Sequence, residues 1–126
     1  MEMIEVKTSE LIGPALDWAT AKASGTKIDD SRGKELRIDI APGFHSPWAP
    51  SVNWYQGGPL IDKYAISIIK PLFEGGIWIA ERINETGEHH NGEGWQVGDT
   101  ALIAMCRSLA SVLIGDTVSV PRELMQ

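Results

Sequence analysis

The residues with the clearest chemical potential are the aromatic and amide side chains between positions 42 and 59. The chain contains five tryptophans but only two phenylalanines and two tyrosines, and two of the tryptophans lie in this segment. A tryptophan offers a large apolar face and one N–H donor, which suits a surface that meets a ligand or a partner. One alternative is that both tryptophans only seal the open end of a small core. The predicted binding residues are Trp48, Asn53, Trp54, Tyr55, Gln56, Gly57, Gly58 and Pro59.

A second group with possible chemistry is the histidine pair His89–His90, which lies between Glu88 and Glu93. Imidazole and carboxylate groups are ligands for divalent metal ions. Adjacent side chains on an extended backbone point to opposite sides, however, and the helical histidine spacing of metallohydrolases is absent. The pattern therefore favours a flexible polar loop, and we predict no metal site.

No residue pattern identifies a catalytic centre or a cofactor site. Neither glycine pair, at positions 57–58 and 75–76, is followed by the lysine and serine of a phosphate-binding loop. Cys106 lies among apolar residues, where a thiol usually packs as a small core group. Glu81 is a possible acid–base group, because a partly buried carboxylate has a raised pKa unless it is paired. We predict no cofactor and no catalytic residue; the residues favour a non-enzymatic protein and leave an enzyme open.

Composition and charge exclude several broad classes of protein. The chain has 126 residues, 43% of them hydrophobic, which is typical of a single domain spanning residues 1–126. Its net charge is −6 and its eleven lysines and arginines are scattered, which disfavours direct binding to nucleic acid. Its apolar stretches are too short for a membrane helix, and no secretory signal is visible. With a single cysteine, a reducing cytoplasm is the expected location.

The periodicity of apolar residues predicts a first helix within residues 9–24. Its regular part is expected to begin near Gly13, and Gly25 closes it. Ile12 is expected on the apolar side of this helix, and Asp17 and Thr20 are expected on the polar side.

A second helix is predicted over residues 99–114, with Asp99 as its amino-terminal cap and Gly115 at its end. Apolar residues fill more than half of its helical wheel, and Arg107, Ser108 and Ser111 form only a narrow polar edge. So wide an apolar arc predicts burial on two sides, either across a sheet or at a dimer contact.

Strands are predicted from alternating and β-branched residues. Residues 36–40 alternate strictly, so their three aliphatic side chains are expected to be buried. Residues 64–69 and 77–83 are expected to form a hairpin. Residues 4–6, 95–97 and 117–120 add shorter strands.

Glycines and prolines break the periodicity of residues 42–59, which are expected to form an ordered loop held by aromatic packing. The predicted fold class is therefore α+β. It is a small single domain with an antiparallel or mixed sheet of about four to five strands, packed against two main helices.

Three blocks of the sequence resemble a known family. They are KTSELIGPALDWA at residues 7–19, WAPS leading to WYQGGPLI over residues 48–61, and TALIAM at residues 100–105, which is followed by GD at 115–116 and VSVP at 118–121. Their order and spacing resemble the NinX-type family of small proteins from lambdoid phages and prophages. The resemblance implies a protein made in the cytoplasm of an infected bacterium. It carries no catalytic residues to this chain, so it implies a setting and not a mechanism.

The leading hypothesis is a non-enzymatic binding or modulator protein that contacts a host or phage protein through the Trp-rich segment. The alternative is a small-molecule binder or small enzyme that uses the same segment as a pocket wall for a nucleotide-like ligand. In that case aromatic rings would stack on a base, and Gln56 would contact it. Arg37, Arg82 or Arg107 would supply the cations that phosphates need. A third hypothesis is a homodimer formed through the apolar arc of the second helix.

Overall fold

The computed structural model describes residues 2–82 and 94–125. Its helices are α1 (Gly13–Ser24), α2 (Trp54–Tyr64) and α3 (Ala101–Leu113). None of these helices has the length and apolar character needed to span a bilayer. Short 3-10 helices at Thr8–Glu10 and Arg122–Met125 follow the first and last strands. The strands are β1 (Met3–Lys7), β2 (Arg37–Ala41), β3 (Phe44–Pro47), β4 (Ile66–Ile69), β5 (Trp78–Arg82), β6 (Gln96–Gly98) and β7 (Thr117–Pro121).

The α+β class is confirmed, but the described strands form three small antiparallel sheets instead of one larger sheet. β1 pairs with β7, β2 pairs with β3, and β5 lies between β4 and β6. The β1–β7 pair joins opposite ends of the chain, with Val6 opposite Val118. The predicted single sheet of four to five strands is not confirmed, because periodicity along a strand indicates which face is buried but not which strand lies beside it.

Helix α3 lies at the centre of the fold. It packs against α1, against α2 and against all three strands of the β4–β5–β6 sheet. Its side chains Leu102, Met105 and Leu109 are almost fully buried, and burying each stabilises the fold by about 1.5–3 kcal/mol. The predicted burial on two sides is confirmed, and it occurs within one chain. The cap is Thr100, whose Oγ1 accepts from the Ile103 N–H at 3.2 Å, and not the predicted Asp99.

Helix α1 begins at Gly13 and ends before Gly25, which has φ +68°, as the sequence predicts. The distribution of buried and exposed residues around α1 differs from the prediction. Ile12 is 55% exposed, because it precedes the helix in extended backbone and helical periodicity does not apply to it. Asp17 and Thr20 are buried instead of exposed, because the Trp-rich segment and α3 pack on the side of α1 that carries them.

Helix α2 occupies residues for which the sequence predicts a loop. A loop is predicted because the segment contains two glycines and a proline. Inside a helix each glycine costs about 1 kcal/mol relative to alanine, and a proline costs about 3 kcal/mol. Gly57 lies where α2 meets its neighbours: a Cβ there would stand 2.6 Å from the Pro50 carbonyl oxygen and 2.8 Å from Leu102 Cδ2. The close approach needs a glycine, so packing outweighs the poor helical propensity of this segment.

The β4–β5 hairpin is confirmed, with Ile68 opposite Ala80. Ile83, the last residue of the predicted second strand, lies outside the described residues. Strand β2 differs from its prediction, because Leu36 is buried but Ile40 is 68% exposed. The β2–β3 hairpin has no further strand beside it among residues 2–82 and 94–125, so its tip carries Ile40 into solvent.

Candidate functional site

Trp48 is part of the packing between the Trp-rich segment and α1. Its side chain is 6% exposed, and its Nε1–H donates to the Asp17 carbonyl oxygen at 2.8 Å. Three residues later, the Ser51 N–H donates to Asp17 Oδ1 at 2.9 Å. Trp48 therefore holds the segment against α1, and little of its ring remains for a partner at the surface.

Asp17 is a buried acid at the centre of this contact. Burial raises its pKa from 3.8 to about 6, because the loss of hydration outweighs the hydrogen bonds from Ser51 that favour the charged form. Helical periodicity places Asp17 on the exposed side, so the sequence pattern misses it. The one sequence signal is that it stands between the apolar residues Leu16 and Trp18.

The amide side chains predicted to orient a ligand instead position the start of α2. Asn53 Oδ1 caps the helix by accepting from the Tyr55 N–H at 2.9 Å. Gln56 Oε1 accepts from the Ala49 N–H at 2.7 Å, and Gln56 Nε2 donates to the Pro47 carbonyl oxygen at 2.7 Å. Gln56 thus bonds on both sides of Trp48 and fixes the register between the segment and α2.

The remaining predicted site residues divide between the inside and the outside of α2. Gly57 is buried against α3, as described above, whereas Pro59 is exposed and Gly58 is half-buried. Trp54 is 58% exposed and Tyr55 is 90% exposed. Of the eight predicted residues, Trp54 and Tyr55 are therefore the large side chains that solvent reaches.

Two hollows lie on either side of the half-buried Trp78. The first, of about 390 Å³, is lined by Ser51, Val52, Trp54, Trp78, Thr100, Ala101 and Leu102, none of which carries a charge. The second, of about 440 Å³, is lined by Trp78, Asp99 and the β4–β5 connection from residue 70 to residue 76. Because Trp78 lines both hollows, they adjoin at its side chain, and we describe them together as one feature.

The β4–β5 connection adds two apolar side chains to this feature. Leu72 is 99% exposed and Phe73 is 73% exposed. The sequence prediction treated residues 70–76 only as a hairpin connection, although two large apolar residues at a turn are an available signal. Together, the side chains of Val52, Trp54, Leu72, Phe73 and Trp78 form what we call the aromatic surface.

A third hollow, of about 290 Å³, lies beside Trp48 on another part of the molecule. Its lining includes Trp48, the cations Lys34 and Arg37, and the acids Asp17 and Glu35. The Arg37 guanidinium stands 3.7 Å from the Glu35 carboxylate, which partly neutralises it. The charged lining of this hollow therefore has both signs, and the exposed edge of Trp48 is its aromatic part.

Three other residues with possible chemistry, Glu81, Cys106 and Arg107, lie in packed or hydrogen-bonded positions within the fold. Glu81 is buried in the β4–β5 ladder opposite Ser67. Burial raises the pKa of the Cys106 thiol to about 12, so the reactive thiolate is disfavoured. Arg107 donates to the carbonyl oxygens of Leu11 and Val97, each at 2.8 Å.

The structure also bears on metal binding. Within residues 2–82 and 94–125, no group of three or more histidine, cysteine, aspartate or glutamate side chains is arranged to hold a metal ion. The pair His89–His90 lies outside the described residues.

A model of a protein family matches most of the chain. The family model described as "Bacteriophage P22, NinX" matches residues 7–111, which include α1, α2, the β4–β5 hairpin and most of α3. The matched region contains the whole of the aromatic surface. No curated protein is similar to the chain in sequence.

Proposed function

Because the chain belongs to the NinX family of bacteriophage proteins, we propose that it acts in the cytoplasm of an infected bacterium as a non-enzymatic binding or modulator protein. Its contact with a host or phage protein is made by the aromatic surface, with Tyr55 beside it. The observation that supports this most strongly is the exposure of Trp54, Leu72 and Phe73 around hollows whose walls are mainly apolar.

Exposed aromatic side chains of this size are unusual on a surface that meets only water. A soluble protein rarely clusters large apolar residues on one exposed area unless the area binds something. Tryptophan is also the residue most enriched among those that dominate protein–protein affinity. The hollow beside Trp54 has no charged residue in its lining, so an apolar side chain could enter it without burying an unpaired charge.

The inner residues of the Trp-rich segment support this role indirectly. Trp48 and Gln56 fix the segment against α1 and α2 through hydrogen bonds of 2.7–2.8 Å. A surface held in its binding conformation loses less side-chain and backbone entropy on association. In this proposal Trp48, Asn53, Gln56 and Gly57 position the contact residues, and Trp54 and Tyr55 make the contact.

The test compares Trp54→Ala with Phe44→Ala. Both side chains are largely exposed, at 58% and 66%, but Phe44 lies on the separate β2–β3 hairpin. The partner would be identified by cross-linking in infected cells and then titrated as a purified protein. Trp54→Ala should weaken the affinity at least about tenfold, and Phe44→Ala should leave it unchanged. If folded Trp54→Ala binds as well as the wild type, the proposal is wrong.

A second candidate function is binding of a small nucleotide-like ligand in the hollow beside Trp48. The observation in its favour is that Lys34 and Arg37, which could pair with a phosphate group, line this hollow together with Trp48; the acids Asp17 and Glu35 line it as well and would repel an anion. Gln56 and Arg107 would not take part, because both already bond to backbone groups. The test is a thermal-shift screen with nucleotides on the wild type and on Arg37→Ala. A stabilisation that Arg37→Ala removes would favour this candidate over the first.

A further inference from the structure

The hollow beside Trp48 has a buried acid in its wall. Its lining comes from three stretches of the chain: the start of α1, residues 34–37 and residues 47–49. Asp17 on α1 is only 5% exposed, whereas Lys34 is exposed at the surface. The carboxylate of Asp17 therefore lies at the inner end of the hollow, and the other charged groups of the lining lie nearer to solvent.

The Asp17 carboxylate is held in place but has no cation beside it. Its Oδ1 accepts from the Ser51 N–H at 2.9 Å, and the loss of hydration is the largest cause of its raised pKa. Among residues 2–82 and 94–125, no lysine, arginine or histidine forms an ion pair with it. A pKa of about 6 leaves most of the group ionised at pH 7. A ligand that brings a cation into the hollow would neutralise this buried charge.

The rim of the hollow favours an anion. Lys34 and Arg37 both line it, and the Glu35 carboxylate stands 3.7 Å from the Arg37 guanidinium. The Glu35 side chain is 73% exposed, so water screens this pair and the Arg37 charge is only partly neutralised. In the part of the chain that the structure describes, Lys34 forms no ion pair. A ligand with one charge of each sign therefore matches the lining better than an anion does.

The walls of the hollow are ordered and enclose a small volume. The Trp48 N–H donates to the Leu36 carbonyl oxygen at 2.8 Å, and its Nε1–H donates to the Asp17 carbonyl oxygen at 2.8 Å. Trp48 thus joins all three stretches of the lining, which lowers the entropy lost when a ligand binds. The volume of about 290 Å³ is at the lower limit for ligand pockets, which measure about 300–1,000 Å³. This size favours a small ligand over a nucleotide.

We infer that this hollow binds a small zwitterion of the amino-acid class, with its ammonium group at Asp17 and its carboxylate at Lys34 and Arg37. Hydrogen bonds between charged groups of this kind are roughly twice as strong as neutral ones. The site goes beyond the proposed protein contact, because the hollow shares no lining residue with the hollows of the aromatic surface. It differs from a nucleotide site because the ammonium group pairs with the acid that would repel a phosphate.

The experiment is isothermal titration calorimetry on the full chain at pH 7 with the common L-amino acids, β-alanine and 4-aminobutyrate. At least one of them should bind with a dissociation constant below about 1 mM. Its N-acetyl derivative lacks the ammonium group and its amide lacks the carboxylate, so each should bind at least about tenfold more weakly. If no zwitterion binds below about 1 mM, or if either derivative binds as well as its parent, the inference is wrong.

Three variants test the placement of the two charges. Asp17→Asn should weaken the binding at least about tenfold, and Lys34→Ala should weaken it about threefold, because Arg37 remains. Lys27→Ala removes an exposed lysine outside the hollow and is the matched control. Circular dichroism verifies that each variant is folded, and Lys34→Ala with the two derivatives decides the matter if Asp17→Asn is not. An affinity that folded Asp17→Asn leaves unchanged overturns the inference, as does an equal loss in Lys27→Ala and Lys34→Ala.

Adenosine monophosphate distinguishes this site from the nucleotide candidate. Asp17→Asn removes a negative charge, so it should strengthen the binding of an anion and weaken that of a zwitterion. Binding of adenosine monophosphate that Asp17→Asn strengthens, with no zwitterion bound, overturns the inference in favour of the nucleotide. The proposed protein contact is tested separately through Trp54→Ala, so it stands whether or not a zwitterion binds.

Discussion

Trp48 and Trp54 are six residues apart in one segment, yet the structure places them in opposite environments. Trp48 is 6% exposed and donates to the backbone of α1, whereas Trp54 is 58% exposed beside an uncharged hollow. The difference teaches that residue type identified an unusual segment but not the role of each ring. One tryptophan anchors the segment, and the anchored segment then presents the other to solvent.

The largest expected effect is the loss of the buried tryptophan. Trp48→Ala should lower the free energy of unfolding by about 3–5 kcal/mol, because it leaves a cavity against α1 and removes a buried hydrogen bond. Trp54→Ala should lower it by less than about 1 kcal/mol, because that ring is mostly in solvent. Urea denaturation of both variants measures the difference. Equal losses would contradict the division of the segment into an anchor and a contact residue.

The next effect is the pH dependence of stability that comes from Asp17, the residue to which Trp48 and Ser51 donate hydrogen bonds. Because burial raises the pKa of Asp17 from 3.8 to about 6, the folded state holds its proton at pH values where the unfolded state has lost it. The contribution of Asp17 to stability therefore falls as the pH rises from about 4 to about 6, and it stays low above that pH. The total change is about 3 kcal/mol at most, from the size of the pKa shift.

Asp17→Asn isolates this contribution. The amide oxygen can still accept from the Ser51 N–H, but the side chain no longer titrates. The difference in unfolding free energy between the wild type and Asp17→Asn should therefore change over this pH window and be flat above it. Denaturation at a series of pH values measures this. A difference independent of pH would show that the Asp17 pKa is not raised.

A smaller effect is expected at the two glycines of α2. Gly57→Ala should destabilise the protein by about 1–3 kcal/mol, because its Cβ would meet the Pro50 carbonyl oxygen and Leu102. Gly58→Ala is the matched control. Apart from its chain neighbours and the helix's own backbone, nothing lies within 4 Å of a Cβ at Gly58. The gain in helix propensity from alanine is about 0.5–1 kcal/mol and is opposed by the contact of its Cβ with Pro59, so Gly58→Ala should destabilise the protein less than Gly57→Ala. A thermal unfolding shift for Gly58→Ala as large as the shift for Gly57→Ala would contradict the observed packing of α2 on α3.

The smallest effect is at the end of α2, the helix that begins with Trp54. Ala65 follows the helix in the left-handed region, with φ 55° and ψ 45°, where a glycine is under less strain. Ala65→Gly should therefore stabilise the protein by about 1 kcal/mol without changing the binding of a partner through Trp54. A lower midpoint in denaturant would show that this left-handed turn carries no strain.

Much of the local structure could be predicted from residues close together in sequence. The limits of α1 follow from Gly13 and Gly25, and the β4–β5 hairpin follows from β-branched runs around a glycine-rich turn. The wide apolar arc of α3 indicated burial on two sides. The structure confirms these predictions because each depends on a backbone preference or on periodicity within one element. The NinX family could also be identified from the three sequence blocks, and the family model confirms it.

Other features depend on contacts between residues far apart in sequence. Helix α2 forms despite Gly57, Gly58 and Pro59 because its inner side packs on α3. Asp17 is buried because Ser51 and Trp48, more than thirty residues later, bond to it. Leu72 and Phe73 are brought near Trp54 because Trp78, on β5, lines the hollows beside both. Propensity and periodicity contain no information about such pairings.

The sequence by itself determined the α+β class, the ends of α1, the two-sided burial of α3, one hairpin and the presence of an unusual aromatic segment. Only the tertiary structure decided that the strands divide into three sheets, that Trp48 is an anchor, and that Trp54 remains exposed beside Leu72 and Phe73. The physical reason is that backbone preferences act over a few neighbouring residues. Burial, by contrast, is decided by whichever distant side chains the folded chain brings together.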